Sequence, residues 1–366
     1  MKKKRNWSGP LPLSAAMFAA VLVLGGCGAA GGGQSAQSDD SKAAEQSAPA
    51  ESADVAQTAD TAKLKVEASF YPMYEFARNV GGDLADVESL IPAGVEPHDW
   101  EPTPQDIAKI EEADVLVYNG AGMEGWIDQV LDGSGSGNLV SAEASGGIDI
   151  MEGSEEEEHE HEHEGEAADA HEEAHEHEGE EAHDHEHGHD HGGLDPHVWL
   201  SPALAIEEVR NIEKAFAEAS PEHADQFKSN ADAYIEKLEA LDEAYKSELS
   251  DVKRKDFITQ HAAFGYLAHE YGLTQVPIAG LSPEQEPSAQ QMAEIVEFAK
   301  AHQVRTIFFE TLVSSKVADT IANELGAKTA VLNPLEGLTD EEIAAGEDYI
   351  SVMRGNLEAL KAALNE

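Results

Sequence analysis

From Lys63 onward, short β-rich runs alternate with helical stretches, and this alternation narrows the possible folds more than any other feature of the chain. The strand candidates KLKVEASF (63–70), DVESLIP (86–92), DVLVYNG (114–120) and NLVSAE (138–143) are separated by the helical segments YEFARNVGG, PQDIAKIEEA and GWIDQVLDG. Pro104 followed by Gln-Asp suits a first helical turn. A second set follows Lys255: strands KDFITQ, LTQVPIAG, RTIFFE and KTAVLNP, with helices AAFGYLAHEYG, SAQQMAEIVEFAKAHQ and SSKVADTIANELG, then one amphipathic helix over 340–364. Such succession predicts open α/β sheets with mostly parallel strands. Between the sets, Ser201-Pro202 opens a helical region punctuated by Ser220-Pro221. From Glu222 to about Leu249, Phe227, Ala231, Tyr234, Leu238, Leu241, Tyr245 and Leu249 recur at spacings of three or four and form one stripe. At 1.5 Å per residue that helix is roughly 40 Å long. Such a helix is long enough to run down a two-lobed protein, although periodicity alone equally describes an ordinary surface helix. The expected architecture is two α/β lobes (63–220 and 251–366) joined by a long rigid helix (221–250).

The N-terminus reads as a secretory leader over 1–26: a basic run from Lys2 to Arg5, an apolar stretch from Leu11 to Leu24, then small residues. The apolar stretch falls short of the ~20 residues that a membrane span needs. It ends in Leu24-Gly25-Gly26-Cys27, which resembles a bacterial lipobox, so Cys27 is the expected lipidation site. As the sole cysteine, Cys27 also rules out an intramolecular disulfide and a cysteine-built zinc site. Residues 27–62 hold almost no large apolar side chain and cannot offset their ordering entropy, so they are expected to be a disordered tether. The net charge of −50 argues against nucleic acid and anionic membrane surfaces as electrostatic partners.

Three histidines stand in short motifs far apart: His98 in EPHDWEP, His197 in DPHVWLSP and His261 in TQHAAFGYL. Singly, the first two read as solvated loop residues and the third as a core histidine. Together with an acidic histidine tract they read differently, because neutral imidazole and carboxylate are the ligands of a borderline divalent metal. The tract, 155–191, carries eleven histidines among acids: His159, His161, His163, His171, His175, His177, His183, His185, His187, His189 and His191. It is either a solvated charged loop or a secondary metal site. His261, Glu310 and Glu336 fall at the carboxyl ends of expected strands, where such sheets collect ligands. His223, His269 and His302 lie on helical segments and are expected to be structural or solvated.

The stretch IPAGVEPHDWEPTPQDIAKIEEADVLVYNGAGMEGW (91–126) strongly resembles the first lobe of the metal-binding solute receptors of ABC importers, the cluster handling zinc and manganese. DPHVWLSP and TQHAAFGYLAHEYGL resemble that family's second and third ligand motifs, and LSPEQEPSAQQM (281–292) follows in order. The resemblance implies one metal buried in the cleft between two lobes, held by His98, His197, His261 and a carboxylate near the last strand. Glu336 in LNPLEGL matches the zinc branch at that position; Asn333 stands where some relatives carry Asp, and Glu310 is the reserve ligand. Three imidazoles and one carboxylate suit tetrahedral Zn²⁺, whereas Mn²⁺ prefers more oxygen and the manganese branch typically has Glu at the third position. Histidine tracts like this one are similar to those of the zinc members. Zn²⁺ is therefore the expected ligand and an ABC permease with a cytoplasmic ATPase the expected partner. The chain is expected to be a monomer outside the cytoplasm, anchored to the bacterial cell membrane through Cys27. A manganese receptor, or a surface adhesin or metal buffer of the same fold, is the alternative. An enzyme is not expected: the chain has no GxSxG or phosphate loop, its HExxH matches (159–163, 171–175 and 185–189) all fall inside the histidine tract, and a fourth protein ligand leaves no open position on the metal.

Overall fold

A computed structural model describes residues 63–133, 139–153 and 193–366. The leader, Cys27, the tether and the eleven tract histidines lie outside the described residues. The described part contains two four-stranded sheets in which every pairing is parallel. The first comprises β1 (Leu64–Ala68), β2 (Ala85–Ser89), β3 (Val115–Tyr118) and β4 (Val140–Glu143), in the order β2-β1-β3-β4. The second comprises β5 (Asp256–Thr259), β6 (Thr274–Pro277), β7 (Thr306–Phe309) and β8 (Lys328–Val331), in the order β6-β5-β7-β8. The strand order reverses between β1 and β3 and again between β5 and β7. Open sheets of this kind form a crevice at such a reversal, beyond the carboxyl ends of the strands.

Helices α1 (Tyr71–Gly81), α2 (Pro104–Glu112), α3 (Ile127–Gly133) and α4 (Pro202–Ala219) accompany the first sheet. Helices α6 (Gly265–Glu270), α7 (Ala289–His302), α8 (Lys316–Leu325), α9 (Asp340–Ala345) and α10 (Tyr349–Leu364) accompany the second. Their starts follow local chemistry: Thr103 with Asp106, and Ser288 with Gln291, form capping boxes that satisfy the free amides of α2 and α7. The single helix expected over 340–364 is two. Gly346 ends α9 in the left-handed region at φ 79°, and Asp348 opens α10 with its own capping box to Ser351. The helix expected over 262–272 shrinks to α6, and Ala262 N–H donates instead to the Gly280 carbonyl at 2.9 Å.

The long stripe is α5 (Ala224–Leu249), and it touches both halves. Near its start Phe227 meets Phe216 of α4 edge-on at 5.5 Å, and Asn230 Nδ2 donates to the Val80 carbonyl at 3.0 Å. Near its end Tyr245 stacks on Tyr271 at 4.9 Å and donates its hydroxyl to the Met353 carbonyl. One buried cluster accordingly runs without a break from Val66 and Phe76 through Leu238 to Phe257 and Leu360. Each fully buried Phe in it contributes about 1.5–3 kcal/mol relative to exposure, so the two sheets are held in one relative setting by shared core. No helix among the described residues is long and apolar enough to cross a membrane.

Candidate metal centre

Four chain segments converge where the carboxyl ends of the two sheets face one another. His98 comes from the loop after β2, a loop tied to the other half by Gly94 N–H donating to the Leu338 carbonyl at 3.0 Å. His197 comes from a strap between β4 and α4. Asn119, just past β3, donates its Nδ2 to the Pro196 carbonyl at 2.9 Å and so holds this strap at the first reversal point. Glu124 fixes that corner: it accepts from Ser69 Oγ and from the amides of Asn119 and Gly120. His261 follows β5 directly. Glu336 lies in the loop after β8, beside Leu335, which is fully buried with φ 59°. A left-handed non-glycine residue costs of order 1–3 kcal/mol and persists only where its surroundings impose it. Here Asn333 Oδ1 accepts the Leu335 amide at 2.8 Å, and Trp199 Nε1 donates to the Pro334 carbonyl at 2.8 Å.

The ligand-type atoms of His98, His197, His261 and Glu336 all lie within 4.8 Å of one another. Glu336 Oε1 is 3.2 Å from His98 Nε2, 3.3 Å from His197 Nε2 and 3.1 Å from His261 Nε2. The Nε2 atom of His197 stands 3.3 Å from that of His98 and 3.4 Å from that of His261. All four side chains are buried.

On the far side of two rings, carboxylates set the tautomer. His197 Nδ1 donates to Asp195 Oδ1 at 2.8 Å, and His261 Nδ1 donates to Glu310 Oε1 at 2.5 Å. With Nδ1 protonated, the lone pair of each neutral ring sits on Nε2 and points at its neighbours. Facing lone pairs repel unless a cation, a proton or a metal, lies between them. Burial pushes His98 down to about 4, so it offers a lone pair at neutral pH. Burial also disfavours charge on His197, but its hydrogen bonds to Asp195 and Glu336, which accept from the ring, outweigh it and leave the ring raised. His261 is raised further, against burial, by the charges of Glu310 and Glu336. Glu336 is held well below the usual carboxylate range: burial opposes this, but the His261 charge and hydrogen bonds from the three rings prevail. The centre is thus a compact negative-and-imidazole pocket that protons fill and a divalent cation can take over.

The four residues expected from sequence are brought together. Glu310, the reserve ligand, stands behind His261 and outside the tetrad. Asp195 supports His197 from behind. Asn119, Glu124, Trp199 and Tyr266, which shape the segments around the tetrad, carried no signal in the sequence beyond lying near strand ends or ligand motifs.

Among known proteins, the high-affinity zinc uptake system protein ZnuA of Bacillus subtilis is 52% identical over 302 residues, covering 82% of this chain and 88% of its own. The zinc-binding lipoprotein AdcA of Streptococcus pneumoniae is 46% identical over 304 residues, covering 83% of this chain. This chain spans only 56% of the length of that longer protein. The crystal structure of the Zn(II)-bound ZnuA-like domain of S. pneumoniae AdcA superposes with a TM-score of 0.67 at 42% identity, covering 83% of this chain and all of that one. The family model described as "Zinc-uptake complex component A periplasmic" matches residues 66–363, and the chain belongs to that ZnuA family.

Proposed function

We propose that this protein captures Zn²⁺ outside the cytoplasm and delivers it to the permease of an ABC importer, with zinc as cargo. The observation that carries the reading is the convergence of three imidazole Nε2 atoms and Glu336 Oε1, with Nδ1 of His197 and His261 fixed by carboxylates. His98, His197, His261 and Glu336 are the proposed ligands. Their count, three nitrogen and one oxygen, suits tetrahedral zinc better than manganese. Copper binds such donors tightly as well, so availability outside the cell contributes to the choice of metal. Four protein ligands leave no open coordination position, which fits a receptor rather than a hydrolase.

The finer features of the reading rest on the sequence. Lipidation at Cys27 keeps the receptor at the cell membrane, and 27–62 tethers it there. The histidines of 155–191 bind further zinc weakly. The relatives' names, zinc uptake protein and zinc-binding lipoprotein, support the same assignment.

Metal analysis of protein purified without added metal, combined with X-ray absorption, tests it. The expected result is one tightly held zinc in a first shell of nitrogen and oxygen, lost in His261→Ala. Undiminished zinc affinity in His261→Ala, or a preference for manganese, overturns it.

A further inference from the structure

We infer that Tyr266 is a positioning residue through which the second half of the molecule aligns His197, a ligand carried by the first. The inference rests on the zinc-site reading above. Residues 151–153 and 193–195 form a short antiparallel stem: Glu152 and Leu194 make a bridge, Gly153 N–H donates to the Gly193 carbonyl at 2.7 Å, and Asp195 N–H donates to the Met151 carbonyl at 2.9 Å. Asp195 at the end of this stem accepts both the His197 amide (3.0 Å) and its Nδ1–H (2.8 Å) on Oδ1. Whatever positions Asp195 therefore positions the ring.

Two neighbours on α6 do so. The Tyr266 hydroxyl, buried with its residue at 3% exposure, donates to the Asp195 carbonyl at 2.9 Å and accepts from Met151 N–H at 2.9 Å. One hydroxyl thus clasps both strands of the stem. Next to it, a Cβ built on Gly265 would lie 2.6 Å from Asp195 Oδ2, so the carboxylate is seated directly against glycine backbone. Asn119 holds the following residue, Pro196, from the first sheet. The segment 195–197 is pinned from both sides, and His261, another ligand, lies five residues before Tyr266 in the chain. The placement of α6 and the alignment of His197 are thereby linked through one hydroxyl.

Tyr266→Phe removes the hydroxyl and little else. Supporting groups around metal-binding histidines are worth about 10–100-fold in affinity, so zinc dissociation measured against a chromogenic chelator should be about tenfold faster. The zinc-free protein loses the same two hydrogen bonds and should melt lower by about 2–4 °C for each kcal/mol lost, so the double-mutant cycle, not the melting temperature, separates positioning from a merely structural role. A double-mutant cycle with Asp195→Asn decides the route: if Tyr266 acts through Asp195, the second change adds little to the first. Wild-type zinc kinetics in Tyr266→Phe, or full additivity in the cycle, overturns the inference while leaving the zinc site standing. Wild-type protein that binds no zinc at all removes the reading on which the inference depends.

Discussion

Glu310 Oε1 stands 2.5 Å from Nδ1 of His261 and also accepts the His261 amide, so the ends of β5 and β7 meet in one carboxylate–imidazole pair at the reversal point of the second sheet. The pair explains why a residue that looks like a ligand in the sequence acts at one remove. Glu310 fixes which nitrogen of His261 carries a proton and leaves Nε2 to face the tetrad. Glu310→Ala is expected to weaken zinc retention by about 10–100-fold. Glu310→Gln, which keeps an acceptor but not the charge, should weaken it less. Competition with a chelator of known affinity measures both, and wild-type affinity in Glu310→Ala would show that His261 needs no orienting partner.

Protons and zinc compete for the same nitrogens. His197 and His261 are raised in the zinc-free fold, so their imidazolium–carboxylate contacts stabilise it below the unfolded value near 6.5 and are lost as pH rises through the raised folded values. Zinc needs those rings neutral, so binding at pH 7 should release protons and tighten as pH rises. The zinc-dependent gain in stability, about 4 kcal/mol at a thousandfold excess over Kd, should therefore shrink on acidification from pH 8 to 6. Titration calorimetry in buffers of different ionisation heat reads the proton count directly. Heats independent of the buffer would contradict the exchange of protons for metal.

The fold was legible because strand and helix periods differ and because Gly and Pro punctuate them. Most expected strands and helices lie within a few residues of those found. The break at Gly346 was missed since Ile343, Tyr349 and Val352 keep an apolar rhythm across it; the Asp348–Ser351 capping pair was the signal available. His98, His197 and His261 were legible from their motifs and the resemblance these carry. Asn119, Glu124 and Tyr266 were not, because each acts through a hydrogen bond to a residue 55 to 115 positions away, and no local pattern records such pairing. The unforeseen strain at Leu335 has the same origin: tertiary contacts from Trp199 and Asn333 impose it.

Deleting 155–191 should leave the tight site and the zinc-free melting temperature unchanged but abolish additional, weaker zinc equivalents. The segment offers eleven imidazoles among carboxylates and no large apolar side chain to bury. Its flanks, Gly153 and Gly193, are already hydrogen-bonded to each other, so a shorter connection spans the same gap at small entropic cost. Equilibrium titration followed by metal analysis gives the stoichiometry. An unchanged number of zinc ions per chain would reduce the tract to a solvated linker.

Glu208 is the least comfortable residue in the core. It is fully buried in α4, and neither carboxyl oxygen has a hydrogen-bond partner among the described residues. Burial, reinforced by the charge of Glu124, raises it well above the usual carboxylate range. A raised folded value has a definite consequence for stability: the protein loses stability as pH climbs from the unfolded value near 4.3 toward the folded one, because the unfolded chain ionises first. Replacing the group with one that cannot ionise removes this loss. Glu208→Gln should therefore melt higher than wild type at pH 7, by about 2–4 °C for each kcal/mol recovered, and the gain should fade toward pH 4. Glu208→Met, which fills similar volume without a polar end, should gain at least as much. Zinc affinity should be unaltered, since Glu208 belongs to neither the tetrad nor its carboxylate supports. Calorimetric scans across that pH range test the claim, and a lower melting temperature at pH 7 in both variants would mean that the carboxylate is stabilising where it sits.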